Sequence, residues 1–105
     1  MIKVSVLYPQ RADARFDFDY YLGAHMDLVR RLLGPACTGI AVEQGLCGAD
    51  AEAPPAYIAM GHLYFDSVTI FQAAFGPHAG TIMGDLANFT DCQPQVQISE
   101  VRLAL

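Results

Sequence analysis

The sequence predicts an α+β fold, a four-stranded antiparallel sheet with two helices packed on one of its faces. Three observations predict it. The hydrophobic pattern runs strand, helix, strand, strand, helix, strand. Two helices can cover one side of such a sheet and no more. The predicted strands nonetheless carry apolar or small residues on both faces, and only 16% of the residues are charged. The uncovered side therefore calls for a partner, and a second copy packed sheet to sheet would provide one.

The elements follow in order. Residues 2–8 alternate, with Ile2, Val4, Val6 and Tyr8 on one face and Lys3, Ser5 and Leu7 on the other. Pro9 ends this strand, and residues 10–15 form a polar connection. Asp17 or Asp19 can cap the helix that follows and runs to Leu33. Leu22, Met26, Val29 and Leu33 make one apolar row on it, and Tyr21, His25, Leu28 and Leu32 make the next. Arg30 and Arg31 lie in the last turn, where cations complement the helix dipole, and Gly34-Pro35 stops the helix.

A second strand is expected over 38–46, with Ile40, Val42 and Leu46 opposite Gly39, Ala41, Glu43 and Gly45. The Ala-, Gly- and Pro-rich stretch 47–56 is a loop and the segment expected to be least ordered. Residues 56–66 form the third strand, with Ile58, Met60, His62 and Tyr64 on one face and Tyr57, Ala59, Gly61, Leu63 and Phe65 on the other. Ser67 caps a second helix that turns Val68, Phe71, Ala74 and Phe75 inward. Gly76-Pro77 interrupts it, and a further helical piece runs from His78 to about Ala87. The last strand is expected over 95–103. Strand–helix–strand occurs twice, which is the split βαβ plan of the ferredoxin-like fold. Right-handed crossovers then put both helices on one face of an antiparallel sheet. The opposite face carries either the Ala, Gly, Gln and Ser set or a mixture containing Leu63 and Phe65.

A chain of 105 residues is one domain, residues 1–105. Its formal charge is −5, with 6 basic and 11 acidic residues and no basic stripe. Nucleic-acid binding and adhesion to an anionic membrane both need clustered Lys and Arg, so neither is expected. The longest stretch without a charge, 67–84, is broken by Gly and Pro and makes a poor membrane span. Three cysteines, an odd number without a C-x-x-C pair, read as reduced thiols, and the chain opens on a strand rather than a leader, so the expected location is cytoplasmic.

His25 stands one turn after Tyr21 on an apolar helix face, so a phenol and an imidazole can converge on one pocket. Histidine titrates near neutrality and could move a proton in an enolisation or dehydration. His78 begins a helical piece and could donate to a ligand oxygen. His62, among apolar neighbours on a central strand, reads as core. No H-x-x-x-H or H-x-x-x-E spacing occurs among the histidines and Glu43, so no metal site is expected. Neither a nucleophile elbow nor a phosphate loop is present, and no cofactor is expected.

The segments FDFDYYLGAHMDLVRRLLGPA, YIAMGHLYFDSVTIFQAAF and PHAGTIMGDLANFTD, with IKVSVLYP near the start and QISEV near the end, resemble the EthD family. The resemblance implies a ferredoxin-like homodimer, a dimeric α/β barrel joined through its sheet faces, with an apolar pocket between helices and sheet. It implies catalytic roles for His25, Tyr21 and His78, and a ligand-binding role for Asp85 and Asn88, with Phe18 and Phe65 beside them. The chain departs from the family at Asp27 and Ala87, where proline is common.

The expected function is binding of a small hydrophobic or aromatic molecule. A transformation by proton transfer, dehydration, cyclisation or an oxidoreduction-type step would use His25 as acid and base. The alternative is a non-catalytic metabolite-binding or accessory protein of a degradation pathway, whose histidines are fully engaged by backbone groups. A haem-binding barrel using one histidine is a third, weaker reading.

Overall fold

The computed structural model describes residues 1–105. Strands β1 (Ile2–Pro9), β2 (Gly39–Gln44), β3 (Tyr57–Phe65) and β4 (Gln95–Glu100) form one antiparallel sheet in the order β2-β3-β1-β4. This is the ferredoxin-like arrangement. The first helix, α1 (residues 18–33), follows β1. Helix α2 (Val68–Phe75) and the shorter α3 (Ala79–Gly84) follow β3, joined by a 3-10 turn at Gly76–His78. The molecule is a slab of 40 × 33 × 19 Å, the thickness of one helix layer on one sheet.

Local chemistry explains the boundaries. The Asp17 side chain accepts from the Tyr20 N–H at the start of α1, and the Ser67 hydroxyl accepts from the Ile70 N–H at the start of α2. Gly34 closes α1 at φ 61°, a conformation that suits only glycine there, and Pro35 follows.

Register decides which residues meet the helices. Val4 faces Leu63, Val6 faces Gly61 and Tyr8 faces Ala59 across β1 and β3. These residues join two buried clusters under the helices. One is built on Ile2, Val4, Val29, Leu33, Phe65, Phe71 and Ile82, and the other on Tyr8, Tyr21, Ala59, Leu86, Phe89 and Cys92. Leu63 and Phe65 therefore belong to the helix side. The outer face carries Ser5 and Leu7, Ala41, Met60, His62 and Tyr64, and Gln95 and Gln97 of β4.

Three expectations are corrected. Strand β2 ends at Gln44, and Leu46 is 87% exposed rather than facing the core. Gly45 makes the last ladder bond, to the Ile58 carbonyl, and a side chain there would collide with the Tyr57 carbonyl and Pro55, so the position calls for glycine. The loop after it is pinned by its own turns, with Ala53 N–H donating to Asp50 and Gly48 N–H to Ala53. Strand β4 stops at Glu100, and its Val96 and Ile98 are 54% and 42% exposed because the helices do not reach this edge. Leu22, expected on the inner face of α1, is 55% exposed. Its position follows from a π turn at Tyr21–His25, where the Met26 N–H reaches back to the Tyr21 carbonyl. The wider turn keeps Tyr21, His25, Val29 and Leu33 in one buried row, and Leu22 rotates outward.

Candidate functional site

Between α1 and the sheet lies a cavity of about 260 Å³. Val4, Val6 and Tyr8 of β1, Val42 of β2 and Gly61 of β3 form its floor, and Tyr21, His25, Met26 and Val29 of α1 its roof. Phe71 and Phe75 of α2, with Ile82, Met83 and Leu86, close one end. Of 17 lining residues 14 are hydrophobic, so the few polar atoms that reach the space decide what it can recognise.

His25 is the one nitrogen-bearing side chain of α1 that lines it. It is 3% exposed, sits in the π turn, and packs against Phe89 and Tyr21. Its Nδ1 lies 2.9 Å from Asp85 Oδ2. A carboxylate only accepts, so Nδ1 carries the proton and donates, and Nε2 is left with a lone pair. Nε2 has no hydrogen bond within the chain, yet no buried side-chain nitrogen or oxygen is both sealed and unpaired. With Nδ1 committed to Asp85, Nε2 is the ring nitrogen left for the cavity that His25 lines.

Asp85 is held in turn. Its Oδ1 accepts from the Tyr20 hydroxyl at 2.8 Å and from Asn88 Nδ2 at 2.8 Å. Asn88 also donates to the Tyr20 oxygen at 3.2 Å. Burial alone would push the Asp85 carboxyl up, but hydrogen bonds from His25, Tyr20 and Asn88 outweigh it and hold the group below the usual carboxylate range. The hydrogen bond that the Tyr20 hydroxyl donates to Asp85 holds that phenol above its ordinary range. The result is a chain from Asn88 and Tyr20 through Asp85 to His25, which orients one basic nitrogen in an apolar space.

The structure brings together four of the residues singled out in the sequence: Tyr21, His25, Asp85 and Asn88. Tyr21 stacks on His25 with ring centroids 5.8 Å apart, but the phenol bonded to Asp85 is its neighbour Tyr20. The remaining three lie elsewhere. His78 is half-buried before α3, makes no side-chain hydrogen bond and does not line the cavity. Phe65 is fully buried at the end of β3 against Phe71, and Phe18 packs on Phe16 at the start of α1. Neither phenylalanine lines the cavity. Tyr8 and Tyr20 escaped the sequence reading. Tyr8 looks like any alternating strand residue, and Tyr20 falls off the apolar helix face.

His62 stands at an outer-face position of β3 and also borders the cavity. Its Nδ1 lies 2.9 Å from Ser5 Oγ and its Nε2 3.4 Å from Glu43. The three histidines stay apart, and nowhere do three His, Cys, Asp or Glu side chains gather as a metal cluster would need. No helix is long and apolar enough to cross a membrane. Of the two departures noted above, Asp27 faces solvent 3.7 Å from Arg30, and the Ala87 carbonyl accepts from Arg15 at 2.7 Å.

The sequence-family model described as the EthD domain matches residues 10–93. Among solved structures, an EthD-like protein from Ralstonia eutropha is 48% identical over 97% of this chain and 92% of its own, with a TM-score of 0.93. An EthD-family protein from Bacillus halodurans is 21% identical over 96% of this chain and 98% of its own, with a TM-score of 0.69. HapK from Hahella chejuensis is 14% identical over 100% of this chain and 97% of its own, with a TM-score of 0.55. The last two likenesses bear on the fold alone. No curated protein matches the chain.

Proposed function

The chain belongs to the EthD family, and from that premise we propose that it binds a small apolar molecule in the cavity beneath α1 and moves a proton on it. His25 is the acid and base, Asp85 holds its ring, and Tyr20 and Asn88 hold Asp85. One observation carries the reading: the 2.9 Å contact between His25 Nδ1 and Asp85, which leaves Nε2 as a free acceptor facing an apolar space. An apolar wall makes each polar contact inside it count for more than it would in water, and a fixed tautomer spares the reaction a reorganisation. A merely packed histidine would have both ring nitrogens engaged, as His62 does.

We propose also that two chains pair through their outer sheet faces. The exposed surface is 6411 Å², against ~5,800 Å² for a compact monomer of this mass. The outer face supports the same reading, since Leu7, Ala41, Met60 and Tyr64 lie there with few charges.

The function is tested with a panel of small aromatic ketones, phenols and lactones in deuterated water. The wild type is expected to exchange a ligand C–H for solvent deuterium, and His25→Gln to slow that exchange by about 10²–10⁴-fold. Exchange that His25→Gln leaves unchanged would remove the role of His25. A binding module without chemistry would take up the same molecules and exchange nothing, and haem titration without a Soret band would dispose of the haem reading.

A further inference from the structure

Tyr8 and Tyr21 hold two hydroxyl groups that nothing in the chain uses. Each residue is 1% exposed and each lines the cavity. Neither hydroxyl makes a hydrogen bond, whereas Tyr20 donates to Asp85 and Tyr57 to Gln95. Neither hydroxyl is fully sealed, and the cavity is the space that both residues line. Their rings stand edge to face, 5.7 Å between centroids. The Tyr21 oxygen hangs over Gly61, where a Cβ would lie only 2.6 Å from it. The absence of a side chain in the middle of β3 thus makes room for a phenol at the cavity floor.

From these observations we infer that Tyr8 and Tyr21 form a two-donor seat for one oxygen atom of the ligand, and that the substrate is an apolar carbonyl compound with an acidic C–H beside the carbonyl. The inference rests on the proton-transfer reading of His25 given above and adds to it the chemistry of the substrate. Burial pushes both phenols well above their ordinary range, so they stay protonated and act as donors rather than bases. His25 Nε2 is an acceptor, because Nδ1 is committed to Asp85. His62 also borders the cavity, but its ring nitrogens are taken up by Ser5 and Glu43, so two donors and one acceptor remain, and these complement a carbonyl oxygen and an acidic C–H.

The step they support balances without any added reagent. Nε2 takes the proton from the carbon next to the carbonyl. The C–H electron pair becomes a C=C bond, and the C=O π pair moves onto oxygen. The negative charge that develops there is met by the two O–H donors, which are fixed before the reaction begins. Return of the proton from Nε2, to the same carbon or to another, completes an exchange or an isomerisation. Tyr8 and Tyr21 touch the reacting group in this scheme, and Asp85 acts through His25.

The test compares β-tetralone with tetralin, the same carbon frame without the oxygen, on the full chain. The wild type is expected to bind β-tetralone more tightly than tetralin and to exchange its C–H hydrogens with deuterated water. Tyr8→Phe and Tyr21→Phe should each weaken β-tetralone binding by about five- to tenfold and slow its exchange by about ten- to a hundredfold, mostly in kcat. Tetralin binding should not change, which shows at the same time that the variants are folded. Equal affinity for both probes, or phenylalanine variants that treat β-tetralone as the wild type does, would overturn the seat while leaving an apolar cavity with His25 intact. Failure of both probes to bind would overturn both this inference and the reading beneath it.

Discussion

Asp85 does for His25 what the histidine's own helix cannot. A helix residue can be placed on a face, but the rotation of its ring and the site of its proton need an external partner. Replacing Asp85 with Asn removes the charge and permits the wrong tautomer. Exchange activity is expected to fall about tenfold or more, read from initial rates against the wild type. The same carboxylate links the site to acid stability. Its folded-state affinity for protons is depressed, so its hydrogen bonds contribute stability above the ordinary carboxyl value of about 3.9. That contribution is lost as pH falls through the lower folded value. Thermal melts from about pH 6 down to about pH 3 should show the wild type losing more stability than Asp85→Asn. Parallel curves would mean that Asp85 is not held as described.

The elements that matter most are α1 and β3. In α1 the π turn widens the spacing so that Tyr20 points to Asp85 and Tyr21 to the cavity. Deleting Gly23 should restore an ordinary turn and rotate both tyrosines about 100° relative to Val29. The expected outcome is an unchanged far-UV CD spectrum with exchange reduced about tenfold or more. In β3 the decisive residue is Gly61. Gly61→Ala would drive a methyl group into the Tyr21 hydroxyl, and urea unfolding should show a loss of about 1–3 kcal/mol.

These two elements also mark where the sequence was legible. The cap at Ser67, the stop at Gly34 and the alternation of β1 and β3 are local, and each can be read from a few residues. The π turn is not, because the pattern of 21, 25, 29 and 33 fits an ordinary helix about as well. Nor is the pairing of His25 with Asp85, which lie 60 residues apart and meet only when both helices dock. Tyr21 was legible as a cavity residue, but the phenol that serves Asp85 was its neighbour, for the same reason.

At the scale of the molecule, the chain is a slab 19 Å thick with a sparsely charged outer sheet face, the shape on which the proposed pairing rests. Low charge and strands apolar on both sides are the sequence grounds for expecting a partner. Which set of residues faced out was not visible, since both sets in β3 are greasy and only register separates them. Sedimentation at micromolar concentration should give a species of about twice 11.4 kDa. Met60→Lys, which places a charge on the outer face of the inner strand β3, should shift that species toward the single chain. A wild type that sediments as a single folded chain would remove the pairing and leave the cavity chemistry to stand alone.

The central claim is that His25 shows an unprotonated Nε2 to an apolar cavity while Asp85 keeps the proton on Nδ1. Long-range ¹H–¹⁵N NMR of the histidine rings reads this directly, with His25→Gln to assign the signals. The neutral ring of His25 is expected in the Nδ1–H form, and is expected to lose that preference in Asp85→Asn. A neutral His25 protonated on Nε2 in the wild type would contradict it.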